Sequence, residues 1–316
     1  MRFLLDAEQR AFAASLDALL TAADTPKAVR AWGRGEHGPG RALWLRLADA
    51  GVFALAVPEA YDGLGLRPVD LAVAFVELGR HAVPGPVVET VTAAALIREP
   101  GPAKRLLPAL AAGGSVATVA YQGAYALDGD LADVRLSLAP DGLRLAPGHD
   151  AVRASLDPAR RLTRLRPGGE LLGAGPPAPE ALLLARLTTA AQALGVGLAL
   201  LDRTVAYVRQ RTQFGVPVGS FQAVRHRLAD ARTALEFARP LVLGAAVTMA
   251  PADVAAAKVS ACEAAYATAR TALQLHGAIG YTEEYDLSLW LTRARALRTA
   301  WGTPQECRAQ VLAARA

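Results

Sequence analysis

The chain has 316 residues, a formal net charge of +5, two cysteines and a 53% hydrophobic content. Length and apolar content together exclude a disordered chain, and two cysteines with no CxxC motif exclude a disulfide scaffold and fit a reducing cytoplasm. No run reaches the roughly 18 consecutive apolar residues of a spanning helix, and the opening MRFLLDAEQR lacks a signal-peptide pattern, so a soluble chain with no membrane partner is predicted.

In chain order, residues 1 to about 113 read as helical. Asp6 and Gln9 stand at capping-box spacing ahead of a first helix. A second helix is predicted through RALWLRLADA, where Leu43, Trp44, Leu47 and Ala48 keep helical spacing and Gly51 is placed to stop it. VFALAVPEAYDGLGL reads as a loop and VDLAVAFVELGRHA as another helix. Pro84, Pro86, Gly101 and Pro102 punctuate the rest of this zone.

Residues from about 114 to 179 read as a small β module. SVATVAYQ is one strand, and Val134, Leu136, Leu138, Leu143 and Leu145 alternate around Asp141-Gly142 as a hairpin. PGGELLGAGPPAPE reads as a Gly/Pro linker. From about 180 to 316 the helical period returns, with long amphipathic helices near 180–210, 220–249 and 252–276. Long helices joined by short turns predict a four-helix-bundle-like domain.

Generic chemical motifs are nearly absent. Gly195-Val-Gly197 lacks the third glycine of a dinucleotide fingerprint and sits within a helix. The five histidines show no metal-ligand spacing, so no metal is expected. Of 34 basic residues, Lys27, Lys104 and Lys258 are the lysines and the other 31 are arginines. They are interleaved with acids along the chain, which reads as a compositional bias rather than a nucleic-acid surface.

Four dispersed segments stand out: AYVRQRTQFGVPVGSFQAVRHRLAD, LQLHGAIGYTEEYDL, RTAWGTPQECR, and the N-terminal LWLRLADAGVFALAVPEAYDGLGL with LLPALAAGG. Together, in order and in spacing, they resemble the acyl-CoA dehydrogenase family of flavoproteins over about residues 1–113 and 180–316. The resemblance implies a mostly α fold: a helical N-terminal domain (1–113), a shortened β middle domain (114–179) and a C-terminal helical-bundle domain (180–316). It implies FAD bound across a subunit interface, an acyl-CoA substrate and an electron-transfer acceptor.

Residue by residue, the resemblance implies that Arg211, Gln213 and Phe214 serve the flavin of a neighbouring subunit. Gln274 and Gly277 match its adenosine–pyrophosphate end, and Thr303 and Gln305 match a C-terminal pair reaching the cofactor. The residue types suit that role: a guanidinium pairs with pyrophosphate and an aromatic ring gives an apolar shelf. Taken singly, Arg211 also reads as a helix-end cation and Gln274 as a surface amide.

The family reaction removes an α-proton with a carboxylate base and passes the β-hydride to flavin. In many members the base is the Glu before the C-terminal Gly-Thr; here that position is Trp301, which takes no proton. The stretch from Pro240 to Ala250 carries no acid, and Glu236, Glu263 and Glu284 read as solvated or bracing carboxylates, so no catalytic residue is assigned. The middle domain also lacks the family's Thr-Glu-x-x-Gly-Ser-Asp and Trp/Phe-Ile-Thr segments. These departures resemble the short, base-lacking subunit of heteromeric actinobacterial dehydrogenases, notably of steroid side-chain degradation, and imply a hetero-oligomer with a second dehydrogenase subunit. Two alternatives stay open: a homo-oligomer using a displaced base such as Glu284 or Glu306, and a non-redox acyl-CoA-binding scaffold.

Overall fold

The computed structural model describes residues 4–176 and 178–314. Eleven α-helices are described: α1 (Ala7–Thr21), α2 (Thr25–Gly33), α3 (Gly38–Asp49), α4 (Pro68–Arg80), α5 (Val87–Leu96), α6 (Pro100–Ala111), α7 (Pro179–Gln210), α8 (Gln222–Thr248), α9 (Pro251–His276), α10 (Leu287–Leu297) and α11 (Pro304–Ala313). Between α6 and α7 lie β1 (Ala117–Tyr121), β2 (Ala126–Leu127), β3 (Val134–Ala139), β4 (Gly142–Leu145), β5 (Leu162–Thr163) and β6 (Glu170–Ala174). The chain divides into two compact units, one of residues 14–74 and 83–185, the other of residues 1–13, 75–82 and 186–316.

The first unit joins N-terminal helices to the β module. Its sheet has the order β1-β3-β4-β6, with β1 parallel to β3 and the remaining pairs antiparallel. Strand β3 buries alternate residues, as its period-2 pattern requires. Helix α5 is registered on β1 by a reciprocal pair: Thr90 Oγ1 donates to the Ala117 carbonyl and accepts from the Ala117 N–H. Trp32, Trp44 and Phe53 form the heart of this core, with Trp44 stacked on Phe53 at 4.3 Å. Gly40 and Gly85 pack against the Trp32 ring, and Gly85 also has a positive φ of 93°.

Two local readings of the β module differ from the sequence pattern. Gly142 is not a turn residue; it pairs with Ala139, leaving Pro140 and Asp141 as the loop. Residues 170–174 form the fourth strand rather than part of a linker, because Leu143 and Leu145 offer β6 an open edge.

The second unit is a helical bundle in which α9 packs against α8, α10 and α11. Its seam is alanine-rich, with Ala257, Ala261, Ala265, Ala269 and Ala272 buried, which lets the helix axes approach. The Gly195-Val-Gly197 pair belongs to this packing. A Cβ on Gly195 would collide with the Val76 carbonyl, and one on Gly197 with Leu235 and Ala265. Trp290 is fully buried, donates from Nε1 to the Arg80 carbonyl at 2.9 Å and carries the Arg203 guanidinium 3.8 Å above its ring. Each large apolar side chain buried here contributes about 1.5–3 kcal/mol.

Candidate functional site

The turn that comes after α10 is held by two cations. Trp301 has φ 57° and Gly302 φ 134°. The first is unusual for a bulky residue and persists only where the surroundings impose it. Lys258 on α9 is 1% exposed, and its Nζ donates to the carbonyls of Leu297, Arg298 and Gly302 at 3.0, 3.2 and 3.3 Å. The ammonium thereby satisfies the C-terminal end of α10, where the helix dipole favours positive charge. Arg186 on α7 donates from Nε to the Trp301 carbonyl at 3.0 Å and from Nη1 to Gln310 Oε1 at 2.6 Å. A Cβ on Gly302 would press on Cys307 Sγ and Arg186 Nε, so the turn has no spare room.

Neither Glu306 nor Glu263 is free to serve this turn as a base. Glu306 closes the capping box of α11: its Oε2 accepts from the Thr303 N–H at 2.7 Å and from Thr303 Oγ1 at 2.9 Å, while its own N–H donates to Thr303 Oγ1. Those bonds hold its carboxyl below the usual range. Glu263 accepts from Arg298 Nε at 2.7 Å. Glu236 pairs with Arg239, and Glu284 is exposed.

The second cluster is the connection between α7 and α8. Residues Thr212–Gln213 (β7) and Val216–Pro217 (β8) pair as a minimal hairpin whose two turn residues, Phe214 and Gly215, have φ 53° and 77°. Both positive values are what a two-residue turn of the favoured hand requires. Phe214 is 93% exposed and meets Phe221 edge-on, with ring centroids 6.3 Å apart. Arg211 and Gln213 are also exposed.

Tyr207, one turn before Arg211, donates from its hydroxyl to the His276 carbonyl at 3.3 Å and stacks on the His276 ring at 4.2 Å. The α7 end is thereby tied to the α9 end, where Gln274 and Gly277 are exposed and Gly277 has φ 63°. His276 shares a 2.8 Å hydrogen bond with the Ala272 carbonyl, so its Nδ1 bears the proton; burial pushes its pKa down.

The structure thus gathers Arg211, Gln213, Phe214, Gln274 and Gly277 at one end of the bundle. It does not bring Thr303 and Gln305 to them. Those two open α11 beside the turn held by Lys258, and from Lys258 to Gln274 helix α9 runs about 24 Å at 1.5 Å per residue. Sequence reasoning missed Lys258 and Arg186. Nothing local marks them, because their partners, main-chain carbonyls and the Gln310 amide, are distant along the chain.

Residues 6–114 match the model of the acyl-CoA dehydrogenase N-terminal domain and residues 177–316 that of the C-terminal domain. The chain belongs to the acyl-CoA dehydrogenase family. Members are FAD-dependent oxidoreductases acting on CH–CH groups, and that is the class of enzyme and cofactor to which this chain belongs. It is 34% identical to acyl-CoA dehydrogenase IpdE2 of Mycobacterium tuberculosis over 284 residues, covering 89% of each chain. Among solved structures it resembles the Tcur3481–Tcur3483 steroid acyl-CoA dehydrogenase, with a TM-score of 0.80, 25% identity and 97% of each chain covered. It also shares the fold of the ChsE4–ChsE5 complex from Mycobacterium tuberculosis, with a TM-score of 0.84, 24% identity, and 99% of this chain and 98% of that chain covered.

Proposed function

We propose that this chain is the base-lacking subunit of a heteromeric, FAD-dependent acyl-CoA dehydrogenase. The observation that carries the reading is Trp301: the residue before the Gly302-Thr303 turn is an indole, and the acids beside the turn are engaged in a capping box and an ion pair. No group at that turn accepts an α-proton, so the proton goes to a carboxylate on another subunit.

The exposed residues at the hairpin end of the bundle suit the adenosine and pyrophosphate part of FAD. Arg211 supplies a planar cation for the pyrophosphate, Phe214 a presented ring face and Gln213 and Gln274 amide groups, while Gly277 leaves main chain accessible. When bound, FAD supplies the two-electron acceptor for dehydrogenation. This chain's contribution is to bind and orient one end of it. Thr303 and Gln305, about 24 Å along α9 from that group, form a separate contact point, in keeping with a cofactor shared across subunits. An acyl-CoA is the substrate class, and the likeness to a steroid dehydrogenase favours a ring-bearing acyl group. An electron-transfer protein is the partner class that would take the electrons onward.

Co-expression with a family member that retains the glutamate tests the reading. A yellow complex with acyl-CoA-dependent flavin reduction supports it. Full activity of this chain by itself contradicts it.

A further inference from the structure

We propose that the cleft between α7 and α8 seats an acidic amphipathic helix of an unlike subunit. The inference deepens the heteromeric reading above and rests on it. The cleft measures about 570 Å³ and continues into a second of about 490 Å³, the two sharing Val205, Arg209 and Leu228. Its floor is apolar, with Leu198, Leu201, Val205, Leu228 and Leu235. Its rim is cationic. Arg80 is paired with Asp202 at 3.0 Å and Arg239 with Glu236 at 3.7 Å. Arg209 on α7 and Arg232 on α8 are exposed and make no ion pair among the described residues. Two guanidinium groups without an ion pair among the described residues thus line one apolar trough.

The shape selects an extended occupant. From Arg225 to Arg239 the α8 wall runs about 21 Å, the length of four helical turns. A helix laid there would bury one apolar stripe on the floor and place flanking carboxylates against Arg209 and Arg232. A second copy of this chain fits poorly. Helix α8 carries Arg225, Arg227, Arg232 and Arg239 against only Asp230 and Glu236, so a two-fold pairing of α8 helices sets like charges together. Charge at the rim therefore favours an unlike, acidic partner.

The test is the double variant Arg209→Glu/Arg232→Glu, shown to be folded by circular dichroism, assayed for assembly with the co-expressed subunit. Association falls tenfold or more, weakens with salt in the wild type, and returns with Arg209→Lys/Arg232→Lys, which keeps the charges. Unchanged assembly of the double variant overturns the proposal. If no unlike subunit assembles with the wild type, the heteromeric reading fails and the cleft is judged separately, with a synthetic 16-residue helix bearing a leucine stripe flanked by glutamates. Saturable, salt-sensitive binding to the wild type but not to the double variant sustains the cleft; no saturable binding up to millimolar peptide overturns it. Light scattering that shows a homodimer dissolved by the double variant also overturns it, since the occupant is then a second copy.

Discussion

Arg186 donates from Nε to the main-chain carbonyl of Trp301 at 3.0 Å, so a cation braces the very turn where many members of the family carry a catalytic carboxylate. The brace is part of the fold of the C-terminal unit. Replacing Arg186 by Met removes that bond and the 2.6 Å bond to Gln310, each charge-assisted. Urea denaturation is expected to show a loss of about 2 kcal/mol. Lys at this position restores only part of it, because an ammonium lacks the fork that reaches both acceptors.

Lys258 has a larger effect. Its Nζ satisfies three carbonyls inside the protein, and Met fills the same volume while leaving all three without that donor. Lys258→Met is expected to destabilise the chain by about 2–4 kcal/mol, the cost of leaving buried main-chain carbonyls without their charged donor. The same variant loosens the Trp301 turn, which is read as faster amide hydrogen exchange at Gly302 and Thr303.

Arg211 is exposed, so Arg211→Ala leaves thermal stability within about 0.5 kcal/mol of the wild type. Loss of the proposed charge-assisted bond to pyrophosphate, about 1.5–3 kcal/mol, is expected to weaken FAD retention by the assembled enzyme roughly 10- to 100-fold. Equilibrium dialysis of the complex measures it. Phe214→Ala acts in the same direction with a smaller effect.

Asp128 gives the protein a pH dependence. It is completely buried, neither carboxyl oxygen has a hydrogen-bond partner among the described residues, and burial pushes its pKa up to about 8 against the opposing charge of Arg160. The unfolded carboxyl titrates near 3.9. Between those values the folded chain holds a proton that the unfolded chain has released, so stability falls as pH rises from about 4 to 8. Asp128→Asn removes this slope and raises stability at pH 8 by something on the order of 2–5 kcal/mol, with little change at pH 4. Denaturation midpoints at the two pH values decide it.

The long helices of the bundle were legible through their length and alanine- and leucine-rich composition rather than a stripe, since α7 is buried on nearly every side from Ala181 to Leu201, and the Asp6–Gln9 capping box forms as its spacing requires. Helix α5 was not. VVETVTAAAL is buried on nearly every side, so it shows no amphipathic stripe, and its β-branched residues suggest no helix. Strand β6 was hidden for a related reason: glycines flank it on both sides, and only pairing with β4 fixes its backbone. The candidate flavin positions were legible as motifs. Their division into two groups was not, because it depends on which end of α9 each one lies against. The Lys258 and Arg186 braces left no sequence signal at all.

The most direct measurement is anaerobic titration of the purified chain, alone and saturated with added FAD, by an acyl-CoA, following flavin absorbance. The expected result is no stoichiometric flavin binding and no bleaching by the thioester, with both appearing once the glutamate-bearing subunit is present. One FAD per chain, reduced by acyl-CoA in the absence of any other subunit, would contradict the assignment of this chain as the base-lacking half of the enzyme.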